Sequence, residues 1–408
     1  MLCRRVGVAV SLAVLLLVSA QLPDATRAAD AEPSPPALDA ELIAEALEIL
    51  GERYVDEEAL NTENLTAGAI RGIVEALGDD GHTEYLTPEE YAAAQDALDG
   101  RVVGIGVVLD QRSRTPHIIS VIDGSPADRS GLRAGDVISS IDGTEASRLP
   151  LDELAALVRG LAGTSVELEV ERPGLTEPLA FHIDREDVPI EPASWAMVPG
   201  SEVAVVRIVQ FSLDAGQRTR DAIEAALAAG ACGLVIDLRG NPGGLVDEAV
   251  DVAAAFMEGG VAYQEQGREG PPAAVPIPPG RTISTDVPLV IVVDYATASS
   301  AEILAAAMRD AGRATIVGEQ TYGTGTVLNT FDLSDGSAIK VGVLSWSTPA
   351  GEPVFRVGIT PDHEVPLSPG AVALRPHELE AMAPEDFAAH PDLQLRRAVA
   401  LLQPLADR

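Results

Sequence analysis

Apolar positions recur at helical spacing through Leu42, Ile43, Ala46, Leu47 and Leu50, which predicts a helix directly after a Pro- and Ala-rich stretch at 31–38. A second helix is predicted over 66–77, burying Ile70, Ile73, Val74 and Leu77. A third covers 87–98, opening with Pro88, Glu89 and Glu90, residues suited to a first helical turn. From about residue 100 to 184 the period shortens. β-branched runs at 102–109, 117–122 and 165–170 lie between Gly and Pro turns, as in a compact β-rich module, with one helix at 151–159 carrying Leu154, Leu157 and Val158 on one side. Beyond residue 202, strands at 203–208, 233–238, 289–293 and 314–317 alternate with helices at 215–229, 245–256 and 301–311. Such alternation predicts a layered α/β core. There is no internal repeat, and the Pro-rich stretch at 271–279 reads as low in complexity.

A chain of 408 residues with 46% hydrophobic content is long enough for two or three folded units. With 28 Lys plus Arg against 63 Asp plus Glu, its formal charge of −35 repels nucleic acid and anionic headgroups, so no nucleic-acid partner is expected. Lys340 is the only lysine, consistent with arginine-rich codon usage; the acidity itself reads as adaptation to high salt. Residues 1–29 have the layout of a secretory signal: Arg4 and Arg5, then an uncharged run from Val6 to Ala20, then small residues. Cleavage after Ala20 or near Ala28 fits equally well, and a linker at 30–37 follows. Export to the periplasm or the exterior is therefore expected. Cleavage is preferred to an uncleaved anchor because the apolar run is shorter than the roughly 20 residues that span a bilayer, and an uncleaved leader is the one expected route to a membrane. Cys3 precedes that run, so the mature chain keeps Cys232 alone and forms no internal disulfide. Cys232 is expected as a buried structural thiol at the start of a strand.

Gly104-Ile105-Gly106-Val107, Ser125-Pro126-Ala127, Gly131-Leu132, Gly135-Asp136-Val137-Ile138 and Ile141-Asp142-Gly143 resemble a PDZ domain in order and spacing. In such a domain a strand edge takes up the ligand as an added strand, while glycine-bearing amides meet its terminal carboxylate. The resemblance thus makes Gly104, Ile105, Gly106 and Val107 the candidate peptide-binding residues.

Val206-Arg207-Ile208-Val209-Gln210-Phe211, Asp237-Leu238-Arg239-Gly240-Asn241-Pro242-Gly243-Gly244 and the stretch from Thr297 to Met308 resemble the core of the carboxyl-terminal processing, or tail-specific, serine peptidases. Gly323-Thr324-Gly325-Thr326-Val327, Asp335-Gly336-Ser337, Thr348-Pro349-Ala350-Gly351, Gly358-Ile359-Thr360-Pro361-Asp362 and Asp392-Leu393-Gln394-Leu395 follow in the family order. The resemblance implies an α/β fold with a crotonase/Clp-protease-like core at 186–402, a PDZ domain inserted at 99–185 and an N-terminal helical unit at 38–98. It also implies protein or peptide substrates with apolar C-termini, with an active peptidase or an adaptor as a further partner. A trypsin-like PDZ protease fits less well, since there the catalytic domain precedes the PDZ unit.

By the same resemblance Ser299 occupies the nucleophile position, with Ser300 as runner-up. Amides at Gly243, Gly244 and Ser300 are the implied oxyanion donors. Read from the residues alone, Ser299 with Glu302 three residues on is equally a helix capping box, and 237–244 is equally a plain glycine turn. Arg239 is suited to neutralising Asp237 or another buried carboxylate. A serine hydroxyl needs a neighbouring base during attack. The family supplies a lysine 25 residues after the serine and a glutamine four residues later; here those positions are Thr324 and Leu328. The dyad is therefore degenerate and little or no peptidase activity is expected, the alternative being an active enzyme that uses another base. Lys340, 41 residues beyond Ser299, is one such candidate. His82, His117, His182, His363, His377 and His390 are expected to be structural or solvated. No metal or cofactor site is apparent. If the acidity is a salt adaptation, stability measured by urea unfolding rises between low and molar salt, and a flat curve contradicts that reading.

Overall fold

The computed structural model describes residues 38–79, 82–112, 115–149, 151–367 and 373–406, so the leader and linker at 1–37 lie outside the described residues. The chain divides into two units, the first ending at Leu65. In the first unit α1 (Ala40–Arg53) is capped by Asp39, whose carboxylate accepts from the Leu42 amide at 3.0 Å. Its apolar residues Leu42, Ile43, Leu47 and Leu50 are exposed.

The second unit opens with most of α2 (Thr62–Glu75), followed by β1 (Glu84–Leu86) and α3 (Pro88–Leu98). The helix expected at 66–77 exists, but Ala67 is its one buried residue. Ile70 and Val74 are half-buried, and Ile73 and Leu77 are exposed. Periodicity reports which residues share a face, and whether another element covers that face is a separate matter. A reciprocal capping box starts α3: the Thr87 amide donates to the Glu90 carboxylate at 2.7 Å, and the Glu90 amide donates to Thr87 Oγ1 at 3.2 Å.

The β-rich module comprises β2 (Arg101–Gly104), β3 (Val107–Arg112), β4 (Thr115–Val121), α4 (Pro126–Ser130), β5 (Val137–Ile141), β6 (Thr144–Glu145), α5 (Leu151–Val158), β7 (Ser165–Glu171), β8 (Leu179–Asp184) and β9 (Glu186–Pro189). Its main sheet runs β3-β4-β5-β7-β8, which leaves β3 at an edge, while β2 pairs with β9 separately. The run expected at 102–109 is thus two strands. They break at Gly106, whose φ of +83° and nearness to Ser125, 2.3 Å from where a Cβ would lie, leave room for glycine alone. Ile105, Ile118, Ile138, Leu154 and Leu168 form the module's core.

The remaining elements are β10 (Ala193–Met197), β11 (Val203–Ile208), α6 (Ala215–Ala228), β12 (Gly233–Asp237), α7 (Val246–Ala254), β13 (Val261–Gln266), β14 (Ala273–Pro276), β15 (Leu289–Val293), α8 (Ser300–Asp310), β16 (Thr315–Gly318), β17 (Thr326–Asp332), β18 (Ala338–Ser347), β19 (His363–Glu364), α9 (Pro376–Glu380), α10 (Pro384–Ala389) and α11 (Leu393–Ala406). One sheet runs β10-β11-β12-β15-β16-β19 and is parallel except for β10. Every residue of β11, β12 and β15 is buried, because helices cover both faces of the sheet. Residues of α6, α7 and α8 fill one side, and those of α9, α10 and α11 the other. A second sheet joins β1, β13, β14, β17 and β18, with β18 bonded to β17 along one edge and to β1 and β13 along the other. The proline-rich stretch therefore contains a strand, β14, placed at the edge of this sheet where a missing N–H is tolerated.

Cys232 is exposed rather than buried. It precedes β12 where the chain enters the sheet, and its amide donates to the Glu202 carbonyl at 2.7 Å while the side chain faces outward. Arg239, by contrast, is wholly inside. It donates to Asp237 at 2.7 Å, to Asp392 at 2.9 Å and to Gln394 at 3.2 Å, joining the end of β12 to the start of α11. Burial pushes the Asp237 carboxyl upward, but the charge and hydrogen bonds of Arg239, with the charge of Arg207, outweigh it and hold the group below its ordinary value. The unfolded chain then binds the extra proton, so stability rises with pH across this window. Urea unfolding is expected to show stability falling as pH drops below the ordinary value of 3.8, and equal midpoints at about pH 4 and pH 2 would contradict it.

Candidate active site

The site forms where two neighbouring parallel strands end. β12 runs into the glycine turn at 238–244 and β15 into the turn at 294–298, and the two are laced together. The Ala298 amide donates to the Asn241 carbonyl at 2.9 Å, and the buried Thr297 hydroxyl donates to the Leu238 carbonyl at 2.9 Å. Ser299 follows at φ +54° and ψ −122°, a conformation that L residues avoid at a cost of about 1–3 kcal/mol. Strain of this kind requires surroundings that over-determine it.

Glu302 supplies them. Its Oε2 accepts from the Ser299 amide at 2.9 Å and from the Thr324 amide at 3.0 Å. Its Oε1 accepts from the Thr321 hydroxyl at 2.5 Å and from the Gly323 amide at 2.8 Å. The carboxylate half of the expected capping box is thus present. The Ser299 side chain makes no capping bond, however, since the Glu302 amide donates to the Ser299 carbonyl at 2.9 Å instead. Burial raises the Glu302 pKa, with the four donors opposing that shift. An ionised carboxylate has about four acceptor sites, and all are filled. The residue that lies closest in sequence to the hydroxyl with a titratable head therefore has no lone pair left to receive its proton.

Thr324 lies beside the serine: its Oγ1 accepts from the Ser299 amide at 3.2 Å. The glycines around it are packed tightly. A Cβ at Gly325 would lie 2.3 Å from Phe355 backbone, and one at Gly323 would lie 2.7 Å from the Gly358 amide. Gly243 faces Ser299 directly, where a Cβ would come within 2.7 Å of the serine Cβ and 3.1 Å of the Ser300 amide nitrogen. Its own amide donates to Asn241 Oδ1 at 2.8 Å. No hydrogen bond from the Gly244 or Ser300 amide is found among the described residues, which leaves these two expected donors available to an oxyanion. The Ser300 hydroxyl is fully buried and without a partner.

Ser299, Thr324, Leu328, Gly243 and Gly244 share a cleft of about 650 Å³. Its lining contains no His, Asp or Glu; the titratable side chains there are Tyr91, Tyr295, Tyr322 and Lys340. Lys340 is paired with Glu84 at 2.9 Å and lies opposite Thr330, a further four residues along β17 from Thr326. At about 3.3 Å per residue this is roughly 13 Å of strand. His82, expected to be structural or solvated, is buried behind the cleft wall with its Nδ1 2.9 Å from the hydroxyl of Thr326, a lining residue, a placement its sequence neighbours do not announce. Burial lowers the His82 pKa, with Asp79 raising it and Arg356 adding to the lowering. Contact between positions 244 residues apart leaves no local pattern to read.

The PDZ-like module borders the same cleft through Val108 and Leu109 of β3 and Ile119 of β4, whereas Gly104, Ile105, Gly106 and Val107 are not part of its lining. The Ile105 carbonyl accepts from the Ala127 amide at 2.8 Å and the Gly106 carbonyl from the Ile122 amide at 2.9 Å. In a trans peptide the next N–H points the opposite way, so the Gly106 and Val107 amides face away from the module's interior. With β3 at an unpaired edge, this arrangement suits an added peptide strand ending in a carboxylate.

The profile of "Peptidase family S41" matches residues 202–365, and that of a "PDZ domain" matches residues 117–172. A "Carboxyl-terminal-processing protease" from Synechocystis sp. is 34% identical over 346 residues, covering 83% of this chain and 80% of that one. The "Carboxy-terminal processing protease CtpA" of Bacillus subtilis is 31% identical over 306 residues, 75% of this chain and 65% of the relative. Among solved structures, a "photosystem II D1 C-terminal processing protease" superposes with a TM-score of 0.62 at 27% identity, covering 85% of this chain and 99% of that one. Glu302→Gln puts an NH₂ where two of the four donors point. Urea unfolding is expected to show roughly 3 kcal/mol lost, and an unchanged midpoint would remove the anchoring role assigned to this carboxylate.

Proposed function

The chain belongs to peptidase family S41, with a PDZ domain and the carboxyl-terminal processing proteases as relatives, and on that premise we propose that it holds apolar protein C-termini while cleaving them weakly or not at all. The observation that carries this reading is the composition of the cleft around Ser299. Its lining holds no His, Asp or Glu, its single amine is ion-paired to Glu84, and the neighbouring Glu302 is saturated by four donors. Thr324 stands at the position where the family has its base, and its hydroxyl accepts from the Ser299 amide. General-base help is worth about 10² to 10⁴ in rate, so its loss leaves residual turnover at most.

In this reading Ser299 keeps the nucleophile position, Gly244 and Ser300 offer oxyanion amides, and Gly104 to Val107 with the β3 edge receive the tail. Leu328, at the glutamine position, adds an apolar side chain to the wall of the cleft. The leader-like segment 1–29 supports an exported protein, periplasmic or extracellular, whose partners are protein tails and an active peptidase or adaptor.

A second reading, an active peptidase with a substitute base, draws on one observation: the buried His82 imidazole contacts Thr326 on the cleft wall. His82→Ala would then abolish turnover, whereas the first reading leaves it unchanged.

Thr324→Lys combined with Leu328→Gln is expected to raise cleavage of an apolar-tailed protein by about 10²-fold or more, abolished by Ser299→Ala. No gain would count against a missing base. In the parent protein a tail peptide is expected to bind without turnover and to lose affinity when its terminal carboxylate is amidated; equal binding of both forms would exclude carboxylate capture.

A further inference from the structure

The hollow between the PDZ module and the core does not end at the cleft of Ser299. A second cavity, of about 730 Å³, adjoins it, because Ile119 of β4 and Tyr295 of the turn after β15 line both. Beyond these two side chains its walls are Ser120 and Ala134 of the module and Gly240, Asp294 and Arg375 of the core, among others.

The two hollows differ in chemistry. The cleft lining holds no Asp or Glu, whereas the cavity is charged but balanced. Arg239 pairs with Asp237 and Asp392, Arg375 pairs with Asp128 at 2.7 Å and Asp123 at 3.0 Å, and the charge of Arg207 acts on Asp237. Asp294 accepts from the Gly240 and Ala296 amides, each at 3.0 Å. With its cations and carboxylates committed to one another, the cavity calls for no net charge. What it leaves open is a hydrogen-bond donor on each wall. The Ser120 hydroxyl of the module is 3% exposed and without a partner, and Arg375 Nε of the core has no hydrogen bond, Glu378 lying 3.6 Å away. A buried donor without an acceptor costs about 1–3 kcal/mol, and a carbonyl oxygen removes that cost without adding charge.

We propose that this cavity is a subsite for the part of a bound tail that lies upstream of its apolar end: an uncharged polar polypeptide segment whose carbonyls accept from Ser120 Oγ and Arg375 Nε. The inference rests on the tail-holding reading above and names what the tail carries beyond the cleft. Its direction follows from the terminal carboxylate. Once that group is held by the PDZ loop, the chain that continues past the cleft is the N-terminal side. An extended segment presents one carbonyl about every 3.3 Å, so successive residues can meet donors on both walls. Tails with an apolar end preceded by Ser, Thr, Asn or Gln are the class this arrangement selects.

The test is fluorescence anisotropy of labelled peptides on the purified protein, in sodium chloride high enough to screen exposed charges. Two peptides share one apolar C-terminal sequence, and the longer adds about six upstream residues drawn from Ser and Gln, roughly 20 Å of extended chain. The longer peptide is expected to bind the parent protein about tenfold tighter. Ala134→Trp fills the cavity from a half-buried position outside the cleft lining, and is expected to abolish that gain while the shorter peptide binds as before. Ser120→Ala is expected to reduce the gain several-fold. Equal affinities in the parent protein, or a gain kept in full by either variant, overturn the subsite and leave the tail-holding reading standing. No binding of either peptide overturns that reading and the subsite with it. Should Ala134→Trp fail to fold, Ser120→Ala decides by the same criterion. Placing a pair of glutamates in the added segment is expected to cancel the gain, and an undiminished gain overturns the uncharged assignment.

Discussion

Four donors converge on the Glu302 carboxylate, and the geometry around Ser299 follows from that convergence. The carboxylate fixes the start of α8 against the turn at 321–324, so two segments from different parts of the core become one wall. It also holds the serine amide while that residue adopts a backbone that L side chains avoid. The Thr321 hydroxyl extends the tie by accepting from the Ile359 amide at 2.7 Å, which brings the 354–359 segment into the same assembly. The same saturation that makes Glu302 a good anchor makes it a poor base. Position and proton acceptance are distinct capacities, and in this carboxylate the first uses up the second.

Around that anchor the larger architecture brings three parts of the fold to the serine. Adjacent parallel strands end together, their turns carry the glycine-lined recess and Ser299, and the PDZ edge strand contributes side chains to the same cleft. Opposite lies the sheet of β17 and β18, with Leu328 and Lys340 on the cleft side. Family membership and the PDZ domain account for this layout. Thr324 and Leu328, the positions on which the proposed function turns, both lie in the lining of this cleft.

Much of this was legible in the sequence, and the limits have physical causes. The strands at 203–208 and 289–293 appear with the expected bounds because fully buried parallel strands read as uninterrupted apolar runs. The capping spacing of Ser299 and Glu302 was visible too. That Glu302 also serves the turn at 321–324 was not, since those contacts join residues 19 to 22 apart with no periodicity between them. Burial of α2 was overestimated because a stripe of apolar residues does not say what covers it. Cys232 was misplaced for a related reason: apolar neighbours in sequence do not bury a residue at the open end of a strand. β14 was hidden by its prolines, which an edge position tolerates.

The central claim is that the Ser299 hydroxyl has no group able to take its proton. Labelling of the purified protein with a fluorophosphonate serine probe, compared with Ser299→Ala and read by intact mass, tests it most directly, because the probe demands an activated hydroxyl and no particular substrate. The account predicts no Ser299-dependent adduct at neutral pH on the timescale over which an active serine hydrolase labels fully. Stoichiometric modification lost in the alanine variant would contradict it.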